Sequence, residues 1–391
     1  MISGGSLFQQ LLREVPRTVF EGLVRRHQAE RYAKGFSCWT QLVSMLFSQL
    51  AGADSLREIC HGLECGLGRL RHLGLDEAPK RSTLSYANSH RRSELFEEFF
   101  WTCLNRFRDQ GFLGSHKRFR FRNPLLSLDS TTITLCLNLF PWASFQREKG
   151  GIKLHVLLRH DDYLPEYVVL TTARTNDLPP ARHVPIKPGS IVVMDRGYVG
   201  YSLLAEWARN GIFFVVRAKA NMEFLRWESL PNRAPTILED SIVRRLVEFA
   251  SPVRTHFPVP LRRVRVLTDD GQPLDLLTNI QHLAARTIAQ IYRDRWQVEL
   301  FFKALKQNLK VKTFVGTSEN ALRIQIWTAL LSLMLLKWLH FLARGRFSLS
   351  TVAALLRQNL FTYRDLKTFF SDPLRSPPLV PEPLQLQLGF A

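Results

Sequence analysis

The spacing of apolar residues changes twice along this chain, and those changes confine it to a mixed α/β fold with helical ends. From Leu7 to about Gln110 the apolar positions recur at helical intervals, as in Leu11, Leu12, Val15, Val19, Phe20, Leu23 and Val24, with no alternating stretch. After a basic bridge from Lys117 to Arg122, short runs rich in Val, Ile, Leu, Thr and Phe take over. These cover 125–137, 152–159, 167–173, 190–195 and 212–217, each bounded by turn residues, with a helix over 201–210. Three strands able to form a meander, followed by helical crossovers to further strands, predict a mixed sheet. Segments 260–267 and 274–279 flank Asp269-Asp270-Gly271 and read as a hairpin, in which the two acids serve the turn. Long helices are expected over 284–309 and 319–340, and a shorter one over 350–360. The tail after Asp372 holds Pro373, Pro377, Pro378, Pro381 and Pro383 and is expected to be extended and peripheral.

At 391 residues the chain has room for two or three domains, and 46% hydrophobic residues exclude wholesale disorder. The charge is informative: 53 Lys and Arg against 34 Asp and Glu leave +19, which points to a polyanionic partner such as nucleic acid. Cys38, Cys60, Cys65, Cys103 and Cys136 are odd in number and contain no C-x-x-C pair, so a reducing, cytoplasmic setting is expected. Cys60, His61, Cys65 and His72 do not match structural zinc spacing. No secretory signal is read at the N-terminus. The apolar run 326–336 stops at Lys337, which suits a buried core helix and is too short to span a bilayer. Ser55 and Glu58 have capping-box spacing. A helix starting near Ser82 or Thr83 carries Ser85, Asn88, Ser89, His90, Arg91 and Arg92, side chains suited to phosphates and base edges, or to a solvated face. The connection before it is longer than that of a helix-turn-helix.

Three acids stand out chemically. Asp129 sits inside a β-branched strand, where a carboxylate is costly to desolvate unless a cation binds it. Asp195 ends the run Ile191-Val-Val-Met-Asp, and ligands collect at strand C-termini in α/β sheets. For either one alone, a turn or cap role is the competing reading. Tyr292, Arg295, Glu299 and Lys306 fall within an arc of roughly 60° on one helix, beside a packing face of Val298, Phe301, Phe302, Leu305 and Leu309. In isolation, Arg295 and Glu299 form only a common i,i+4 pair.

The spacing Y-x2-R-x3-E-x6-K at Tyr292, Arg295, Glu299 and Lys306 resembles the signature of the DDE transposases of bacterial insertion sequences, in the large family numbered four. Leu128-Asp129-Ser130-Thr131-Thr132 is similar to that family's first aspartate motif, and Asp195-Arg196-Gly197-Tyr198 to its second. Gly151-Ile-Lys-Leu-His155, Glu319-Asn320 and Ile324-Gln325-Ile326-Trp327 look like further landmarks. The resemblance implies a ribonuclease H-like catalytic domain over 117–345 with a β-rich insertion at about 218–282. A helical DNA-binding domain over 1–116 would precede it, and a helix with the proline-rich tail over 346–391 would follow. It implies Asp129 on the first strand, Asp195 just beyond the fourth, and Glu299 on a helix against the sheet. Three such carboxylates can hold two Mg2+ ions about 3.5–4 Å apart, with Mn2+ as a substitute, for in-line phosphoryl displacement.

In the same reading Tyr292, Arg295 and Lys306 grip phosphates of the transposon end, and Arg293, Lys303, Lys310 and Lys312 extend the basic stripe. Trp227 is a candidate platform for a flipped base, with core packing as the alternative. The expected partners are double-stranded DNA, as terminal inverted repeats and target, and a second copy of the chain, with no membrane. The expected activity is cut-and-paste transposition through hairpinned ends. Its alternatives are a nuclease without strand transfer and an inactive DNA-binding regulator.

Overall fold

The structure is a computed structural model that describes residues 5–31, 33, 35–66, 70–114, 118–135, 142, 144–146, 149–219, 222–231, 234–247, 257–309 and 315–375. The chain divides into two compact units, one of Met1–Gly114 with Lys303–Ala391, the other of Ser115–Phe302. The first begins with α1 (Leu7–Glu14), α2 (Arg17–Arg26), α3 (Cys38–Ala51), α4 (Leu56–Glu64), α5 (Arg81–His90) and α6 (Glu94–Asp109). Sequence signals set several of their ends. Ser37 caps α3 by accepting from Thr40 N at 3.0 Å, and Gly52 closes it at φ 78°, where a Cβ is disfavoured. Ser55 caps α4 as expected, accepting from Glu58 N at 3.2 Å, while the Glu58 carboxylate takes the Asp54 N–H at 2.9 Å, one residue before the expected donor.

The second unit holds β1 (Leu125–Leu135), β2 (Ser144–Gln146), β3 (Lys149–Arg159), β4 (Leu164–Thr172), α7 (Leu178–Arg182), β5 (Ile191–Met194), α8 (Tyr201–Arg209) and β6 (Phe213–Arg217). Then follow β7 (Glu223–Ser229), β8 (Ile237–Val247), β9 (Leu261–Leu267), β10 (Pro273–Thr278) and α9 (Ala285–Asp294). Among the described residues these strands form one sheet in the order β2-β3-β1-β5-β6-β10-β9-β8-β7, with β4 also on β3. The chain is thus mixed α/β. Only β1, β5 and β6 run parallel, as strands joined by helical crossovers must. The stretch expected as an insertion at 218–282 does not form a sheet of its own: β10 pairs antiparallel with β6, so β7 to β10 extend the central sheet. Leu276 and Leu277 of β10, both fully buried, pack on opposite faces and make that join continuous.

Helix expectations change at one point. The helix expected over 284–309 is two, because the bonding tightens at Arg295, which donates to Tyr292 O and accepts from Val298 N. The second piece, α10 (Trp296–Asn308), buries Val298, Phe301, Phe302 and Leu305, and Leu309 just past its end is buried too, so the packing face read from the sequence is kept. From Lys303 the chain belongs to the first unit, so the compact units divide there and not at 345. The reason is α11 (Glu319–Leu342), the central helix of that unit, which packs with α3, α5, α6, α12 (Leu349–Asn359) and α13 (Leu366–Ser371). At 24 residues it is long and apolar enough to cross a membrane, unlike the run 326–336 considered alone; 83% of its most apolar stretch is buried in the protein. Its buried Thr328 and Ser332 hydroxyls return to the carbonyls of Ile324 and Thr328. Cys136 and the prolines beyond 375 lie outside the described residues.

Candidate active site

Strand alternation decides where the two aspartates point. Leu126 and Leu128 of β1 join the core under α8, with Leu203, Leu204 and Trp207, whereas Leu125 joins the core under α9, with Ile288 and Ile291. Side chains alternate along a strand, so Ser127 and Asp129 take the α9 face with Leu125. In β5, Val192 and Met194 face α8 while Ile191 and Val193 face α9, and Asp195 continues the second set. Leu128 is registered opposite Met194 in the parallel pair, so Asp129 and Asp195, each the next residue, emerge side by side. Beyond Asp195 the chain turns into a short 3-10 segment, Arg196–Tyr198. The Asp195 carboxylate makes no cap bond and has no hydrogen-bond or ion-pair partner among the described residues.

The helical side supplies the third acid. Arg295 Nη1 donates to Asp129 Oδ2 at 3.1 Å and Nη2 to Glu299 Oε1 at 2.6 Å, so one guanidinium joins strand to helix. Tyr292 lies under it, with the guanidinium carbon 5.8 Å from the ring centroid. Burial is the main force on Asp129, whose side chain is 19% exposed. It pushes the carboxyl up to about 6; the Ser130 N–H and Arg295 pull it down, and the charges of Glu299 and Asp195 push it further up. Burial also raises the Tyr292 phenol, which Arg295 opposes and Asp195 reinforces. Arg295 stays firmly cationic: burial disfavours its charge, but Tyr292, Glu299 and Asp129 more than compensate. Its Nε is buried without a hydrogen-bond partner.

The donor set fits a hard divalent cation. It consists of carboxylate oxygens, and their mutual repulsion is answered by one guanidinium where three negative charges converge. As they stand, no three His, Cys, Asp or Glu side chains among the described residues lie close enough to enclose an ion.

The other expected residues scatter. Arg293 is exposed and pairs with Asp269, so that turn acid has a partner as well as a turn to make. Trp227 stands 57% exposed on β7, outside the fully buried core. Lys303 is exposed and Lys306 half-buried on α10, both beyond the unit boundary, while Lys310 and Lys312 lie outside the described residues. In α5, Asn88 is buried and bonds to Gln41 at 2.8 Å, and Arg91, just past the end of that helix, is bound to Gln41 and the Phe36 carbonyl. Those two side chains are therefore spent on packing.

Sequence reasoning missed two neighbours of the site. Asp177 Oδ1 accepts from Ser130 Oγ at 2.8 Å and Lys153 Nζ at 3.3 Å, and lies 3.7 Å from His155 Nδ1. Burial drives the His155 imidazole down to about 4, with Asp177 opposing. Alternation of Lys153 and His155 in Gly151-Ile-Lys-Leu-His155 was the available signal. The second is a cleft of about 680 Å3 beside Arg295, walled by α9 and the β9–β10 hairpin, with the exposed Trp296 on its lining.

Comparison with known proteins follows the same outline. Residues 120–335 match the transposase DDE domain, and residues 3–76 match a domain of unknown function, DUF4372. A protein of Sinorhizobium fredii named as a transposase is 32% identical over 338 residues, 84% of this chain and 91% of its own. One of Geobacillus stearothermophilus, named as a transposase for insertion sequence element IS5377, is 34% identical over 58% of this chain and 59% of its own. A solved piggyBac transposase synaptic complex with hairpin DNA aligns with 95% of this chain and 81% of its own at 12% identity. Its TM-score of 0.40 is too low to define the fold.

Proposed function

Since the chain belongs to the DDE-domain transposases of bacterial insertion sequences, we propose that it excises and inserts its own element, using Asp129, Asp195 and Glu299 as the catalytic carboxylates. The observation that carries this is the convergence of three acids from distant segments: two side by side, Asp129 within β1 and Asp195 just past the end of the parallel β5, and the third tied to the first through Arg295. That placement also supports a ribonuclease H-like reading of the sheet from β1 to β6. Asp129, Asp195 and Glu299 would hold Mg2+, or Mn2+ in its place. When bound, such ions activate a water or 3′-hydroxyl and stabilise the leaving oxygen.

The protein's own residues have definable tasks in this reading. Arg295 offers a planar fork that can pass from the carboxylates to a phosphate of the transposon end, and Tyr292 supports it from below. Arg293, Lys303, Lys306 and Lys310 add sequence-independent attraction to the backbone. Trp227, which is 57% exposed, would stack on an unpaired base. The helical segment 1–116 binds DNA, and the reaction proceeds through hairpinned ends on a dimer bridging two terminal repeats.

The test uses purified protein and its Asp195→Ala variant on a plasmid carrying the native flanks, with Mg2+ or with EDTA. Metal-dependent cuts at both flanks, rejoined elsewhere and lost in the variant, are expected, with binding to the ends retained. Cutting without joining would replace this reading with a nuclease, and binding without cutting would replace it with a regulator.

A further inference from the structure

Directly behind Asp129, on the same face of β1, the unit buries a chain of polar side chains that the proposed chemistry does not use. Ser127, His160 and Asp294 are 0%, 4% and 2% exposed. Ser127 Oγ lies 2.7 Å from His160 Nε2, and His160 Nδ1 lies 3.1 Å from Asp294 Oδ2, while Arg118 binds the other Asp294 oxygen. An ionised carboxylate only accepts, so Nδ1 carries a hydrogen toward Asp294; in the neutral ring Nε2 then accepts the Ser127 hydroxyl. The order resembles a hydrolytic triad. A serine with no exposed surface cannot meet a substrate, however, so the arrangement serves the fold around it.

Its end points give it a purpose. Ser127 precedes Asp129 by two residues on one face of one strand, and Asp294 immediately precedes Arg295, where the helical bonding tightens. Strand and helix are therefore tied twice, by Asp129 to Arg295 in the half-open site and by Ser127 through His160 to Asp294 beneath it. The middle residue is itself fixed: His160 N donates to Leu125 O at 3.0 Å. The turn after it runs through Tyr163, held at φ 52°, an uncommon conformation for a side-chain-bearing residue. Three buried polar groups with every partner supplied make a rigid, orientation-specific link, whereas an apolar contact would tolerate sliding.

We propose that Ser127, His160 and Asp294 are positioning residues that set Arg295 and Glu299 against Asp129 for the DNA-cleaving reaction, an inference that rests on the function proposed above.

Two measurements test it, the first independent of catalysis. In EDTA, melting temperatures of wild type, Asp129→Asn, Arg295→Gln and the double variant give the coupling between Asp129 and Arg295 as a departure from additivity. The cycle is repeated in a His160→Phe background, with Ser127→Ala, which removes one hydroxyl, in its place where His160→Phe does not fold. The departure is expected in the wild-type background and is expected to vanish in the second while the melt stays cooperative. A departure that persists, or is missing from the wild-type background, overturns the proposal.

The second measurement is single-turnover cleavage of end DNA at saturating protein with Mg2+. The background variant should cut about 10²-fold more slowly, while its affinity for the ends in EDTA stays within about twofold. A purely structural role would lower the melting temperature and leave both the coupling and the saturated rate alone. A wild type that binds ends without cutting refutes the proposed function and leaves the melting cycle to decide the relay. A wild type and variant that cut equally fast refute the relay alone.

Discussion

Asp129→Asn should make the metal-free protein more stable above pH 6 and leave it unchanged near pH 4. The carboxyl is raised from 3.8 to about 6 in the folded chain. Between those values the folded chain still holds a proton that the unfolded chain has released. Stability contributed by this group is therefore full at low pH, falls as pH rises through the window from about 4 to 6, and stays lower above it. A difference of that size is worth about 3 kcal/mol, and the side chain is only 19% exposed, so solvent screens little of it. The attraction of Arg295 is already included in the raised value. Asparagine keeps the shape and removes the charge, so at pH 8 the gain should approach that figure, a rise in melting temperature on the order of 6–12 °C. Thermal melts of both proteins in EDTA across pH 4 to 8 measure it, with the difference between the two curves isolating this residue. Curves that run parallel throughout would refute the reasoning. In addition, Mg2+ at pH 8 should raise the wild-type midpoint and leave the variant's unmoved.

Burial holds the His155 imidazole down to about 4, so the unfolded chain takes up a proton that the folded chain refuses as pH falls from 6.5 to 4, and stability is lost across that window. His155→Gln should flatten this acid loss in urea melts at pH 7 and pH 5; an unaltered slope counts against it. Arg262 grips Asp240 through two bonds of 2.8 and 2.7 Å with both side chains at most 5% exposed, so Arg262→Met should cost about 3–5 kcal/mol in urea unfolding. Arg262→Met with Asp240→Leu should recover most of that, since no charge is then left buried alone. Trp227→Ala, at an exposed position, should change stability by less than about 0.5 kcal/mol and weaken stacking on a fluorescent base analogue at the transposon end. A large stability loss would instead assign Trp227 to packing.

The central strands were legible because burial on both faces writes an unbroken apolar run: β5 and β6 begin and end within one residue of expectation. By contrast, β7 and β8 carry Glu223, Arg226 and Glu228, and Glu239, Asp240, Arg244 and Arg245, and such mixed stretches have no apolar period to read. The tightening at Arg295 was invisible, since the apolar period runs through it unchanged. Asp129, Asp195 and Glu299 were legible as candidates from local context and motif spacing, and alternation along β1 and β5 was enough to put both aspartates on one face. Asp294 and Asp177 were not. Each looks like a surface or capping acid until its partners appear, and those stand 134 residues away for His160 and 47 for Ser130.

The division of the chain has a consequence for synthesis. The sheet unit, Ser115–Phe302, is one uninterrupted stretch and can complete its core as soon as it leaves the ribosome. The helical unit cannot, because its N-terminal helices and its central helix α11 are made on either side of the whole sheet unit. At about 5–20 residues per second, the first six helices wait on the order of 10–40 s for the segment that will cover them. Phe100 and Trp101 of α6, whose rings pack on Trp327 of α11, lack that cover for the interval, so it is the helical unit, and not the one bearing the three acids, whose assembly must wait for later synthesis.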